Sequence, residues 1–123
     1  MSTLAVGTIK SASSAAPVFQ NTSGTEIGQL AKVWVLINMS GGSILDSFGV
    51  SSISDQGTGT FNVNFTTALS NVNACSVASV SDSCAHAQIV DGNCSTSAFQ
   101  YRTLDGGLSL CDDPFTSFVL FDS

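Results

Sequence analysis

AKVWVLINMSGGSILDSFGVSSISDQGTGTFNVNFTTAL, residues 31–69, is the stretch that decides the fold. It opens with an apolar run around Trp34, passes through a polar turn, and continues into two strands joined by Asp55-Gln56-Gly57-Thr58-Gly59. Gly57 and Gly59 can take the positive backbone angles that a tight hairpin needs, because they carry no Cβ. Phe61-Asn62-Val63-Asn64-Phe65 alternates apolar and polar side chains at the two-residue strand period. The segment holds almost no side chain able to act on a substrate, which points to a protein that works by shape and assembly.

Outward from this block, short strand patterns alternate with turn signals. The candidates are residues 32–38, 44–53, 59–66, 75–81, 85–90, 97–104 and 116–121. Asp91-Gly92-Asn93 and Asp105-Gly106-Gly107 are hairpin turns, since Asp, Asn and Gly tolerate left-handed backbone. Asp112-Asp113-Pro114 breaks the chain before the last strand. No window of eleven or more residues has a capped 3.6-residue period. The expectation is an all-β domain, a small antiparallel sandwich or barrel, over residues 31–123. Trp34, inside an apolar run, is expected in its core.

Residues 1–30 read differently. Residues 2–9 suit one short strand, but residues 10–30 are small and polar, with Ala15-Ala16-Pro17-Val18-Phe19 as their one apolar cluster. Pro17 interrupts either regular structure. This is the composition of an extended arm that orders against something else, with a reach on the order of 100 Å. Pro17, Val18 and Phe19 are its candidate anchoring residues.

The chain has 123 residues, one domain's worth, with 43% hydrophobic and only 10% charged residues. Nine acids against Lys10, Lys32 and Arg102 give a net charge of −6. Three cations cannot displace the counterions of a nucleic acid or dock on an anionic bilayer, so neither is an expected partner. No leader and no run of ~20 apolar residues is visible, which makes synthesis in a cytoplasm and a soluble product the expectation. The aromatic residues exceed what one small sandwich requires, so some are expected between subunits, with Phe118 and Phe121 of the terminal strand as candidate interface residues.

Chemistry is hard to find. His86 is the one histidine and has no nucleophile arrangement beside it. Asp112-Asp113 reads as a turn before it reads as a calcium loop, and Gly57-Thr58-Gly59 lacks the rest of a dinucleotide fingerprint. Asp46, Asp55 and Asp91 read as turn or strand-edge acids. Cys75, Cys84, Cys94 and Cys111 lack the close pair of a zinc site. Small, free core cysteines are the plain reading; the sharper one is a single disulfide formed after release from a cell, with Cys84 and Cys94 the preferred pair. No enzyme, metal or cofactor is expected.

AKVWV (residues 31–35), SFGVSSISDQGTG (47–59) and VNFTTA (63–68) together resemble strings of a family of small virion structural, tail-fibre-like proteins of tailed bacteriophages, common among cyanophages. FQYRTLDGGLSLCDDPFTSFVLF (99–121) is similar to that family's arginine strand, Gly-x-Leu turn, Asp-Pro step and final strand, and residues 4–9 and 17–19 resemble its N-terminal arm. The sequence departs from the family at Leu36-Ile37-Asn38, at Gly49 and in its four cysteines. The resemblance implies a non-enzymatic virion protein, made in the host bacterial cytoplasm and forming a homotrimer. Its partner would be the major capsid protein, as a decoration (cement) protein, or a tail protein, as a fibre or adaptor. A host-receptor or glycan-binding module, with Trp34 and Tyr101 as the aromatic candidates, is the third expectation.

Overall fold

The structure, a computed structural model, describes residues 3–10, 18–28 and 30–122. The chain divides into two compact units, Met1–Leu30 and Ala31–Ser123.

In the first unit, β1 (Phe19–Gln20) and β2 (Glu26–Gly28) form a two-stranded antiparallel hairpin. The turn between them is built by Asn21, whose Oδ1 accepts from the backbone N–H groups of Ser23 and Thr25, with Gly24 at φ +80°. The local Asx chemistry thus gives order to a stretch expected to be extended. Residues 3–10 form no strand, against the expectation of one at 2–9.

The second unit is an antiparallel β-sandwich. Its strands are β3 (Val33–Asn38), β4 (Ser43–Phe48), β5 (Val50–Asp55), β6 (Thr60–Phe65), β7 (Cys75–Ser79), β8 (His86–Ile89), β9 (Ala98–Leu104) and β10 (Thr116–Phe121). One sheet has the order β4-β3-β10-β7 and the other β5-β6-β9-β8; neither closes into a barrel. Residues 44–53, expected as one strand, are two. Gly49 (φ +73°) bends the chain out of the first sheet and into the second, and a Cβ there would lie 2.7 Å from the Lys32 carbonyl oxygen. No other residue fits that corner without strain.

The core lies between the sheets. Val33, Val35, Ile37, Phe118 and Leu120 of the first sheet meet Phe61, Val63, Phe65, Phe99 and Tyr101 of the second. Tyr101 and Phe118 stack with centroids 3.8 Å apart, and the Tyr101 hydroxyl pairs with Ser76 Oγ at 3.0 Å. Burial pushes the Tyr101 phenol up to about 12, with the Ser76 bond offsetting part of the rise.

Two findings revise expectations within this core. Phe118 is a core side chain, 2% exposed, because odd and even positions of β10 face opposite ways; it has no surface to offer a neighbour. Cys84 is bonded to Cys111, not to Cys94. Cys84 sits in the β7–β8 crossover and Cys111 in the β9–β10 crossover, and the fold brings these two connections together. Cys94 is free and partly buried, and Cys75 is free and exposed.

Candidate functional site

The two sheets present outer faces made by the same alternation that builds the core, and these faces differ in kind. On the second sheet the outward positions are polar. Ser52 lies opposite Asn64, Ser54 opposite Asn62, Asn62 opposite Gln100, and Arg102 between Thr60 and Gln88. Their side chains bond across the strands. Asn64 Nδ2 donates to Ser52 Oγ and Ser54 Oγ, both at 3.1 Å, Gln100 Nε2 donates to Asn62 Oδ1 at 2.8 Å, and Asn93 Nδ2 donates to Gln100 Oε1 at 2.7 Å. With its amide oriented to accept, Gln88 receives Arg102 Nε and Nη2. This surface suits water.

On the first sheet the outward positions are apolar over part of the face and polar toward one end, where the Ser79 and Ser117 hydroxyls bond to each other at 2.8 Å and Asn38 lies opposite Ser43. One cross-strand row runs Phe48–Trp34–Val119–Val77 over all four strands. Phe48 and Val77 are each 58% exposed and Trp34 is 36% exposed. Leu36 continues the face toward β4, where a register shift sets Leu45 and Asp46 beside it; Phe121 and Cys75 form the next pair along β10 and β7. Asp46, on the edge strand, is the one charged side chain in these four strands. Trp34 is therefore a surface residue, not the core residue expected. The run Val33–Ile37 is apolar at every position, so the sequence offered no alternation to tell its faces apart.

The remaining candidates fall as follows. Phe121 is half-buried on this apolar face. Val18 and Phe19 are exposed in and beside β1, while Pro17 lies outside the described residues. His86 is exposed on β8. The turn acids hold backbone: Asp55 Oδ1 accepts from Gly57 N–H, Asp91 Oδ1 from Gly92 N–H, and Asp105 Oδ1 from Gly107 and Ser109 N–H. Among the described residues no three His, Cys, Asp or Glu side chains converge to hold a metal ion.

Asp113, read from the sequence as part of a turn, is fully buried. Its carboxylate accepts from the Ser81 N–H and hydroxyl and from the Phe115 N–H, while Asp112 accepts from Gly59 N–H. Asp122 plays a similar part at the C-terminus. Burial would raise its pKa, but the Ser70 N–H and hydroxyl and the charge of Lys32 outweigh that and hold it below the ordinary carboxylate value. These acids fasten crossovers and chain ends.

No protein-family model, curated protein or solved structure matches the chain. The apolar outer face is the feature of this molecule that calls for a functional explanation.

Proposed function

We propose that this protein is a non-enzymatic structural protein of a bacteriophage virion: a homotrimeric surface protein, held to the particle through its N-terminal residues, serving as a capsid decoration (cement) protein or short appendage. The observation that carries this reading is the apolar outer face on a chain whose other face is fully adapted to water. A contiguous apolar surface of this kind marks a binding surface, because solitary soluble chains leave few such patches to solvent. The sequence resemblance to tailed-phage structural proteins supports the particle as the setting. The acidic charge argues against nucleic acid and membrane as partners. A tail-fibre or fibre-adaptor component is the alternative position within the same reading.

A second reading has an observation of its own. Trp34 and Phe48 are direct cross-strand neighbours exposed on a flat sheet, the arrangement on which a sugar ring can stack. That geometry favours a glycan-binding module over the rank it had when Trp34 was expected in the core. Quenching of Trp34 fluorescence by oligosaccharides would support it.

The deciding experiment is quantitative mass spectrometry of purified particles against the major capsid protein. Near-stoichiometric copies support decoration of the shell, and a few to a few tens support a tail position. Absence from particles overturns the virion reading.

A further inference from the structure

We propose that the Cys84–Cys111 bond is a redox latch closed after the chain has folded, with Cys111 as the thiol that meets the oxidant and Cys84 as the thiol that resolves it. The latch is independent of any role in a virion and follows from the contacts around these two residues.

The β7–β8 and β9–β10 connections are held together by more than sulfur. Asp113, just after Cys111, accepts from the N–H and the hydroxyl of Ser81, just before Cys84, at 3.1 and 2.9 Å. Both connections also hang on neighbouring residues of β9. Ala85 N–H donates to the Leu104 carbonyl at 2.8 Å, and Cys111 N–H donates to the Thr103 carbonyl at 3.1 Å. The Thr103 hydroxyl in turn donates to the Cys111 carbonyl at 2.6 Å. Met39 N–H donates to the Asp113 carbonyl at 2.9 Å and Gly59 N–H to the Asp112 carboxylate, which ties the same segment to the β3–β4 and β5–β6 turns.

Asp113 and Thr103 are fully buried, so breaking these bonds would leave polar groups unsatisfied away from water. None of the bonds needs an oxidant. They hold Cys84 beside Cys111 while both are thiols, with Cα atoms 6.2 Å apart, inside the range that a bridge requires. The chain can therefore fold where thiols stay reduced and gain the covalent tie on meeting an oxidising medium.

Exposure sets the order of the two thiols. Cys84 is 6% exposed, whereas Cys111 is only partly buried. With a small-molecule disulfide as oxidant, the Cys111 thiolate attacks one of its sulfurs, the oxidant's S–S bond breaks and one thiol leaves. The Cys84 thiolate then attacks the Cys111 sulfur of the mixed disulfide, and the second thiol leaves. The chain gives up two electrons and two protons, which the oxidant carries away as two thiols. Cys75, exposed on edge strand β7, has no resolving partner and stops at the mixed disulfide, while Cys94 Sγ is turned to the Val90 carbonyl oxygen.

The test reduces the full-length protein with dithiothreitol under native conditions, removes the reductant, and adds oxidised glutathione. Alkylation and peptide mapping then locate the bonds. The reduced chain is expected to keep its near-ultraviolet circular dichroism and to form Cys84–Cys111 as its one internal bond. In Cys84→Ser, glutathione is expected to cap Cys111; in Cys111→Ser, Cys84 should react about tenfold more slowly or less. Ser81→Ala keeps the backbone N–H and loses the hydroxyl bond to Asp113. It is expected to lower the equilibrium constant for closing the latch in a glutathione buffer about threefold to tenfold, while Ser54→Ala on the polar face leaves it unchanged. Loss of the near-ultraviolet signal on reduction overturns the proposal. So does an internal bond to Cys75 or Cys94, capping of Cys84 as fast as Cys111, or a Ser81→Ala latch that closes as readily as the wild type.

Discussion

The two outer faces of this sandwich are made by the same backbone period and lie on sheets of equal strand number, yet one is a ladder of Ser, Asn and Gln and the other a row of Phe, Trp and Val. On the polar side, every second residue of β6 faces outward as Thr60, Asn62 or Asn64 and finds a cross-strand partner. On the apolar side, outward Trp34 and Leu36 of β3 and Val119 and Phe121 of β10 are as hydrophobic as their inward neighbours, with Asn38 and Ser117 the polar exceptions. Backbone propensity cannot explain the difference, since both sets suit a strand. What differs is the side chains themselves: one face is covered by groups that hydrogen-bond across the strands, the other carries a row of rings and branched aliphatics.

Substitutions separate the roles of these faces, beginning with the largest effect. Phe118→Ala removes an inward ring from the first sheet and is expected to cost about 3–5 kcal/mol in chemical denaturation. Phe48→Ala, outward on the same sheet, should change the stability of the isolated chain by no more than about 0.5 kcal/mol while weakening any assembly. Equal losses from the two would erase the distinction between core and outer face.

The Cys84–Cys111 bond spans 27 residues and joins two of the four connections that carry the chain between sheets, β7–β8 and β9–β10. Replacing both cysteines by serine is expected to lower stability by about 3–4 kcal/mol under oxidising conditions. A wild-type protein whose denaturation midpoint ignores reductant would argue against that role.

Tyr101 provides a pH test of the shared core. Its phenol is raised to about 12 by burial, against about 10 in an unfolded chain. The neutral phenol's contribution is therefore fully present below pH ~10 and is lost as pH rises toward 12, about 3 kcal/mol in all. Denaturation midpoints measured from pH 8 to 12 should fall only in the upper half of that range, in steps of about 1.4 kcal/mol per unit. Tyr101→Phe should flatten the slope.

Thr116 is inward and fully buried, and its hydroxyl has no hydrogen-bond partner. Thr116→Val is expected to stabilise by about 1 kcal/mol, because it removes the cost of an unsatisfied polar atom; a loss of stability would show that the hydroxyl has a use. The smallest stability effect, within about 0.5 kcal/mol, is expected for Asn62→Val with Asn64→Val. That pair makes the polar face resemble the apolar one, and light scattering should register new association. Unchanged scattering would mean that an apolar outer row alone does not make this fold adhesive.

Much of this was legible in residues. The alternation Phe61-Asn62-Val63-Asn64-Phe65 fixed both the strand and its inward face, and Gly57 (φ +106°) and Gly59 (φ +62°) hold the turn before it as their lack of a side chain suggested. All seven strand segments expected after residue 30 are present, one of them split at Gly49. A glycine within a strand pattern is a bend signal, but nothing local says that the chain changes sheets there. The cysteine pairing was not legible either. Sequence spacing favoured Cys84 and Cys94, whereas the bond follows the proximity of two crossovers, which is a property of topology. Asp113 was read as a turn residue because its partners, Ser81 and Phe115, include one 32 positions away.

The sequence by itself determined that this chain is an antiparallel all-β domain, sandwich or barrel, because a two-residue period punctuated by Gly, Asn and Asp turns has few other ways to hide its apolar half; that the sheets stay open as a sandwich was decided by the tertiary structure. It could not say which face of Val33–Ile37 lies inside. A period is readable only where one face meets water, and here both faces are apolar. Only the tertiary structure decided that Val33, Val35 and Ile37 enter the core while Trp34 and Leu36 face outward, because the second sheet can cover only one side of the first.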